Sequence, residues 1–384
     1  MITREPTGWD FPANGASSHD RMKKLLVVVG TRPNFIKVTR MRAVAAQRGD
    51  WEVRLVHTGQ HFDERMSTVF FEQFGLVPDH WLGIPQGTPN AQMANIMLGL
   101  EQVVVQDRPD AMMVVGDVNS TLAAALTANK CGIRLVHLES GLRSRDRGMP
   151  EEINRILTDR ITDLFLVTEP SGVENLLAEG AAPARVHFTG NTMIDTLVAF
   201  EDRIQASDVL QRLGLGQGGQ VLMTIHRPAT VDDPDRLADL VHLIEQVSKD
   251  HPIVFPVHPR TLANLGRFAL LDRLRAIKGV HLGEPMDYFA FQKLIATCAF
   301  VITDSGGIQE ETTYRRVPCL TVRPNTERPV TVTEGTNELM TFDVGAMRAA
   351  ISRIHAGTFK QGRIPEKWDG HATERVFEAL SKEQ

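Results

Sequence analysis

Short apolar runs alternate along the chain with longer stretches whose apolar residues recur at helical spacing. The runs at 23–29, 51–57, 111–115, 134–138, 164–167 and 186–190 are strand-like. Between them, helices are expected from Pro33 to Gly49, through Phe74, over 90–107 and 121–130, from Pro150, and from Ser171 to Gly180. Ser171 with Glu174 reads as a capping box. GNTMIDTL (190–197) looks like a crossover, and the polar, glycine-rich QRLGLGQGGQ (211–220) opens a second half. There the alternation resumes, with strands at 221–225, 253–257, 280–282, 300–304 and 319–322 and helices at 234–248, 286–297, 307–314, 344–356 and 372–382. Such alternation predicts parallel, doubly wound sheets in two similar α/β halves facing a central cleft.

Length agrees, because 384 residues exceed one ordinary core. Residues 1–22 read as a disordered lead, 23–192 as a first Rossmann-like domain, 193–365 as a second, and 366–384 as a terminal helix packing back on the first. A net charge of -5 offers no basic field for nucleic acid. No run approaches the roughly 20 apolar residues that span a bilayer. Cys131, Cys298 and Cys319 are odd in number and lack CxxC spacing, which suggests no metal site and no disulfide framework and fits a reducing cytoplasm.

The strand ends carry the candidate chemistry, since in open α/β sheets they face the ligand crevice. MMVVGD and RLVHLE each end an apolar run on a carboxylate, placing Asp117 and Glu139 on one rim, with Glu151 and Glu152 at the next helix start. Blander roles exist: Asp117 could cap the helix near Ser120, and Glu151 could pair with Arg155. Arg32 and Lys37 sit where strand 23–29 turns into a helix, beside amides that favour an anion. This turn matches neither GxGxxG nor GxxxxGK[ST], so neither a dinucleotide fingerprint nor a P-loop is indicated.

In the second half, strand 300–304 runs into Ser305, Gly306 and Gly307, which open a helix and let backbone approach an anion. Glu310 and Glu311 follow one turn in, where a carboxylate can receive both ribose hydroxyls. His226 with Arg227, His258, Arg323 and Arg328 lie after neighbouring strands and gather cations around one anion site.

Taken together, GTRPNFIK, TGQH, GDVNSTLAAAL, HLESGLR, PEEINR, GNTMIDTL, TIHRP, PVHP, TDSGGIQEE and TERP make the chain resemble the non-hydrolysing UDP-N-acetylglucosamine 2-epimerases over about residues 23–365. The resemblance implies the two-domain glycosyltransferase-B fold, a UDP-sugar substrate, no cofactor, a homodimer and a place in cell-surface polysaccharide biosynthesis. It carries Arg32, Lys37, His226, Ser305, Gly306, Gly307, Glu311 and Arg328 to the nucleotide and its phosphates, Asp117, Glu139, Glu151 and His226 to the chemistry, and Arg155 to the same site. Gln60 and His61 fall where bacterial members have a short Gln-His-Arg segment that helps bind an activating UDP-sugar, but here Phe62 follows. Pro228, Ala229 and Thr230 also depart from the usual residues after the His-Arg pair.

Inverting C2 of such a sugar is difficult because that hydrogen adjoins no carbonyl. With no nicotinamide fingerprint, the expected route is loss of UDP to 2-acetamidoglucal, followed by protonation on the other face and return of UDP. Alternatives are a 2-epimerase of another UDP-2-acetamido sugar, a hydrolysing epimerase, a glycosyltransferase of the same shape, and a nucleotide-sugar sensor.

Overall fold

The computed structural model describes residues 21–60, 71–216 and 218–382. The first lobe holds strands β1 (Lys23–Val29), β2 (Trp51–His57), β3 (His80–Trp81), β4 (Ala111–Val115), β5 (Arg134–Leu138), β6 (Leu164–Val167) and β7 (Val186–Phe188). They form one seven-stranded sheet ordered β3-β2-β1-β4-β5-β6-β7, parallel throughout. β8 (Val221–Thr224), β9 (Ile253–Pro256), β10 (Val280–Gly283), β11 (Phe300–Thr303), β12 (Cys319–Val322) and β13 (Asn337–Met340) form the second, six-stranded and parallel, ordered β10-β9-β8-β11-β12-β13. The chain therefore folds as the glycosyltransferase-B class of twin Rossmann-like units.

Helices cover both faces of each sheet, which is why the central strands are buried along their whole length rather than on alternate residues. Strand order reverses between β1 and β4 and again between β8 and β11. At such switch points the following loops part and leave a crevice. Those loops carry Arg32, Asp117, His226 and Ser305.

Three expectations need correction. The helix drawn from Pro33 to Gly49 is two, Arg32–Ile36 and Met41–Arg48, although Gly49 does end the second in the left-handed region. Between them the chain tightens into i to i−3 turns, with Lys37 reaching inward to Glu139 and Thr39 bonding Thr196 at 2.5 Å. The Ser171–Glu174 capping box does not form, since Ser171 Oγ instead donates to Glu169 at 2.6 Å. Strands β3 and β13 escaped the pattern; one is two residues long and the other carries polar Asn337 and Glu338. Most of the expected lead, and His61, lie outside the described residues; Arg21, within that lead, pairs with Asp110.

After Thr192–Ala199, short helices Glu201–Gln205 and Val209–Arg212 lead into the second lobe. The chain later returns, and helix Ala372–Lys382 packs on Met41–Arg48 and Thr192–Ala199. Val376, Phe377 and Leu380 join the first lobe's main core, and the Trp368 indole donates to the Thr168 carbonyl at 3.0 Å. The start of this last helix is capped from a distance. Asp195 accepts from the Ala372 amide at 3.0 Å and from the Thr373 amide and hydroxyl, each at 2.6 Å.

An N-cap of this kind contributes about 1–2 kcal/mol, and removing its acceptor strands buried amides. Asp195→Ala is expected to lower stability by about 2 kcal/mol and to speed amide exchange selectively over 372–382. Urea denaturation and hydrogen-exchange mass spectrometry check this, with unchanged exchange in that helix as the contrary result.

Candidate active site

Between the two switch points lies a cavity of about 320 Å³, lined from the first lobe by Arg32, Pro33, Ile36 and Met193 and from the second by His226, His258, Ser305, Gly307, Glu311, Tyr288 and Phe291 among others. Six of the expected nucleotide-side residues thus meet on one surface. The helix Gly306–Arg315 begins there, with Ser305 extended at its N-cap and its side chain making no capping hydrogen bond. Such a helix start favours an anion. The two glycines differ in their reasons. A Cβ on Gly306 would sit 2.8 Å from both Arg328 and Glu327, whereas one on Gly307 would meet only Met193 at 3.5 Å, an ordinary contact. Close packing requires glycine only at 306.

His226 is oriented by Asp304, a residue with no expected role. Asp304 Oδ1 lies 2.8 Å from His226 Nδ1, while Oδ2 accepts the amides of His226 at 2.8 Å and Arg227 at 2.7 Å. Burial disfavours ionisation of Asp304, but His226 and these amides outweigh it and hold its pKa below the ordinary value. The strand-end position of Asp304, one strand from His226-Arg227, was the available clue. Arg32 reaches across to the second lobe, donating to the Met286 carbonyl at 3.1 Å. His258 accepts the Arg260 amide at 3.2 Å as an N-cap and shows its ring to the cavity.

Beside this cavity lies a buried chain of charges. Glu139 follows β5 in the left-handed region, at φ 70, which is strained for a residue with a side chain. Its Oε2 pairs with Lys37, and its Oε1 receives Arg328 from the other lobe at 2.5 Å. Arg328 also pairs with Glu310 at 2.9 Å and with Glu327. Burial works against the Glu139 charge, yet Lys37 and Arg328 prevail and hold its pKa low. Lys37 and Arg328, expected at the phosphates, are thus committed to Glu139, and neither lines the cavity.

Asp117 does not cap its helix; it pairs with Arg155. Arg155 does not pair with Glu151 either, because its other partner is Glu152 at 2.5 Å. The two neighbouring acids separate by helical geometry: Glu152 is buried and accepts the Ser144 and Arg145 amides, each at 2.9 Å, while Glu151 is exposed. Gln60 accepts from the Ser120 amide at 2.9 Å and hydroxyl at 2.7 Å.

Two further acids were not legible beforehand as perturbed. Glu311 is pushed up to about 7 by burial, with Glu310 adding to the effect. Glu169 rises to about 7 for the same first reason, and its Oε2 has no hydrogen-bond partner among the described residues.

Twin parallel sheets whose switch points share a cavity, with an open helix start and an oriented histidine on one wall and clamped carboxylates at its side, define an enzyme acting on a nucleotide-linked small molecule. The sequence pattern of the UDP-N-acetylglucosamine 2-epimerases matches residues 43–381. The chain belongs to that family and is an isomerase. The UDP-N-acetylglucosamine 2-epimerase of Methanocaldococcus jannaschii is 38% identical over 324 residues, 83% of this chain and 88% of the relative. A UDP-2,3-diacetamido-2,3-dideoxy-D-glucuronate 2-epimerase of Pseudomonas aeruginosa is 36% identical, covering 94% of this chain and 99% of its own. The crystal structure of the Methanocaldococcus enzyme in complex with UDP-GlcNAc and UDP superposes with a TM-score of 0.84 at 34% identity, covering 94% and 99% of the two chains. That of the Neisseria meningitidis enzyme bound to UDP-GlcNAc gives 0.86 at 27% identity, covering 94% and 100%.

The raised pKa of Glu169 has a thermodynamic consequence. Because its folded-state value, about 7, exceeds the ordinary 4.5, the native state holds the proton more tightly, and the resulting stabilisation fades as pH rises through 7. Glu169→Gln should therefore gain stability over the parent progressively from about pH 5 to about pH 7 and by a constant amount above. Urea midpoints across this range check it, and a difference independent of pH is the contrary result.

Proposed function

We propose that the enzyme interconverts UDP-N-acetylglucosamine and UDP-N-acetylmannosamine without hydrolysis, through loss of UDP from C1 and its return to 2-acetamidoglucal. The observation that carries this reading is an anion-receiving wall on one cavity with a set of clamped carboxylates beside it, tied to the second lobe by the Arg328–Glu139 pair. As UDP departs, C1 gains cationic character and the C2 hydrogen becomes acidic enough for a side-chain carboxylate. Arg32, His226 and the amides after Ser305 stabilise the diphosphate as its charge develops, which is electrostatic catalysis by preorganised donors. Glu311 receives the ribose hydroxyls. Asp117, Glu139 and Glu151 supply base and acid on the two faces of the sugar, with Arg155 fixing Asp117 and Lys37 and Arg328 fixing Glu139. The relatives with UDP-GlcNAc bound support the substrate class.

A second reading, epimerisation of another UDP-2-acetamido sugar, is favoured by the likeness to the diacetamido-glucuronate enzyme, which covers more of the chain than the Methanocaldococcus match. Heavy water separates the two. Incubation with UDP-N-acetylglucosamine should give a UDP-linked manno product carrying deuterium at C2, seen by NMR. Free N-acetylmannosamine would mean hydrolysis, and exchange only with the diacetamido-glucuronate substrate would establish the second reading. Asp117→Asn and Glu139→Gln should each lower turnover by about a hundredfold or more while UDP still binds. Near-normal turnover in both would remove the assignment.

We further propose a cytoplasmic homodimer whose product serves cell-surface polysaccharide assembly. Among the described residues no helix is long and apolar enough to cross a membrane, and the three cysteines are free thiols, as a reducing compartment maintains. Helix Pro89–Gln106 leaves Leu98 59% and Val105 61% exposed, seven residues apart and so on one face. Light scattering should give twice the chain mass, falling to one chain in the Leu98→Glu, Val105→Glu double variant. A monomeric parent protein would refute the dimer.

A further inference from the structure

We infer that His137 is a positioning residue that acts as a doubly protonated imidazolium, holding the turn that presents Asp117. His137 belongs to the HLESGLR stretch, lies on β5 and is fully buried. Its Nε2 stands 2.8 Å from the Gly116 carbonyl, and its Nδ1 stands 2.7 Å from Asp159 Oδ1. A carbonyl can only accept, so Nε2 must carry a proton. An ionised carboxylate can also only accept, so Nδ1 must carry one too.

The surroundings keep Asp159 ionised. Its Oδ2 accepts the Gly141 amide at 3.1 Å and Arg143 at 2.7 Å, two donors with no proton to receive. Burial opposes the charge, but His137 and Arg143 outweigh it and hold the Asp159 pKa below its ordinary value. Arg143 in turn makes a paired contact with Glu179, at 2.9 and 2.8 Å. With His137 charged, two cations face two carboxylates and the buried group is neutral. A neutral ring would leave an excess negative charge and an Nδ1 or Nε2 lone pair pressed against an acceptor, at the cost of an unsatisfied buried group.

Gly116 is the last residue before Asp117. It turns at φ 65, and its amide is held by the Leu138 carbonyl at 3.0 Å. A charge-assisted bond from His137 to its carbonyl fixes the peptide plane from which the Asp117 side chain leaves. His137 is not among the residues lining the cavity, and its ring bonds Gly116 and Asp159, so its influence on chemistry is assigned to that plane.

The inference rests on Asp117 serving the reaction. Two variants divide the ring's contacts: the short amide of His137→Asn can replace Nδ1 toward Asp159 but not reach Gly116, and the longer His137→Gln can replace Nε2. Displacement of a reacting group by about 1 Å costs on the order of a hundredfold. His137→Asn should lose about that factor in kcat with KM and UDP affinity changed less than about twofold, while His137→Gln recovers most of the loss. Equal losses in both, or none in either, overturn the positioning role. Nitrogen NMR of the parent protein at the pH of the activity assay should show both His137 ring nitrogens protonated, and one bare nitrogen overturns the imidazolium. Failure of deuterium incorporation by the parent enzyme on both UDP-sugars would bring down the Asp117 reading and the positioning role with it. A bare ring nitrogen in an active enzyme overturns this inference alone.

Discussion

The bond from Arg328 of the second lobe to Glu139 of the first is the constraint on which the active region depends. A guanidinium taken wholly out of water costs several kcal/mol unless its donors are matched, and here Glu139, Glu310 and Glu327 match them. One of those acids belongs to the other lobe, so the correct approach of the two sheets is what completes the charge balance. The same contact explains Gly306, whose missing side chain leaves room for Arg328 to pass. The same pair draws in the side chain of Lys37, the C-cap of the first short helix, to the second oxygen of Glu139.

Each lobe uses a histidine and an aspartate to pin the loops beyond two adjacent strands. In the second, Asp304 after β11 gathers the ring and amide of His226 after β8. In the first, His137 on β5 holds the carbonyl after β4, with Asp159 behind it. The roles are reversed in the two cases: one histidine faces the cavity and the other is sealed from it. Loops held in this way keep their geometry without a ligand, which is what electrostatic stabilisation of a departing group demands.

Much of the fold was legible because buried parallel strands read as unbroken apolar runs and the glycines and prolines between them mark helix ends. Strand-end reasoning likewise brought Arg32, His226, His258, Ser305 and Glu311 to one surface, since the topology of a doubly wound sheet places those loops together. Pairing was not legible. Lys37 and Glu139 stand 102 positions apart, Arg328 and Glu139 189, and no local spacing reports which cation meets which acid. Nor could spacing tell Glu151 from Glu152, since the choice rests on which side of a helix faces the Ser144 loop. Tyr288 and Phe291 enter the cavity from a helix whose apolar residues look like ordinary core.

The distant cap that Asp195 places on the last helix bears on how the chain is made. During synthesis the first lobe emerges early, yet Trp368, Phe377 and the amides of Ala372 and Thr373 follow only after the second lobe. Until then the nascent lobe exposes an apolar groove that nothing local can fill, and the second lobe must form while its neighbour is incomplete. Completion of the first lobe thus waits on the segment that follows the second, and a chain without Ala372–Lys382 would lack the clasp that closes a domain begun some 350 residues earlier.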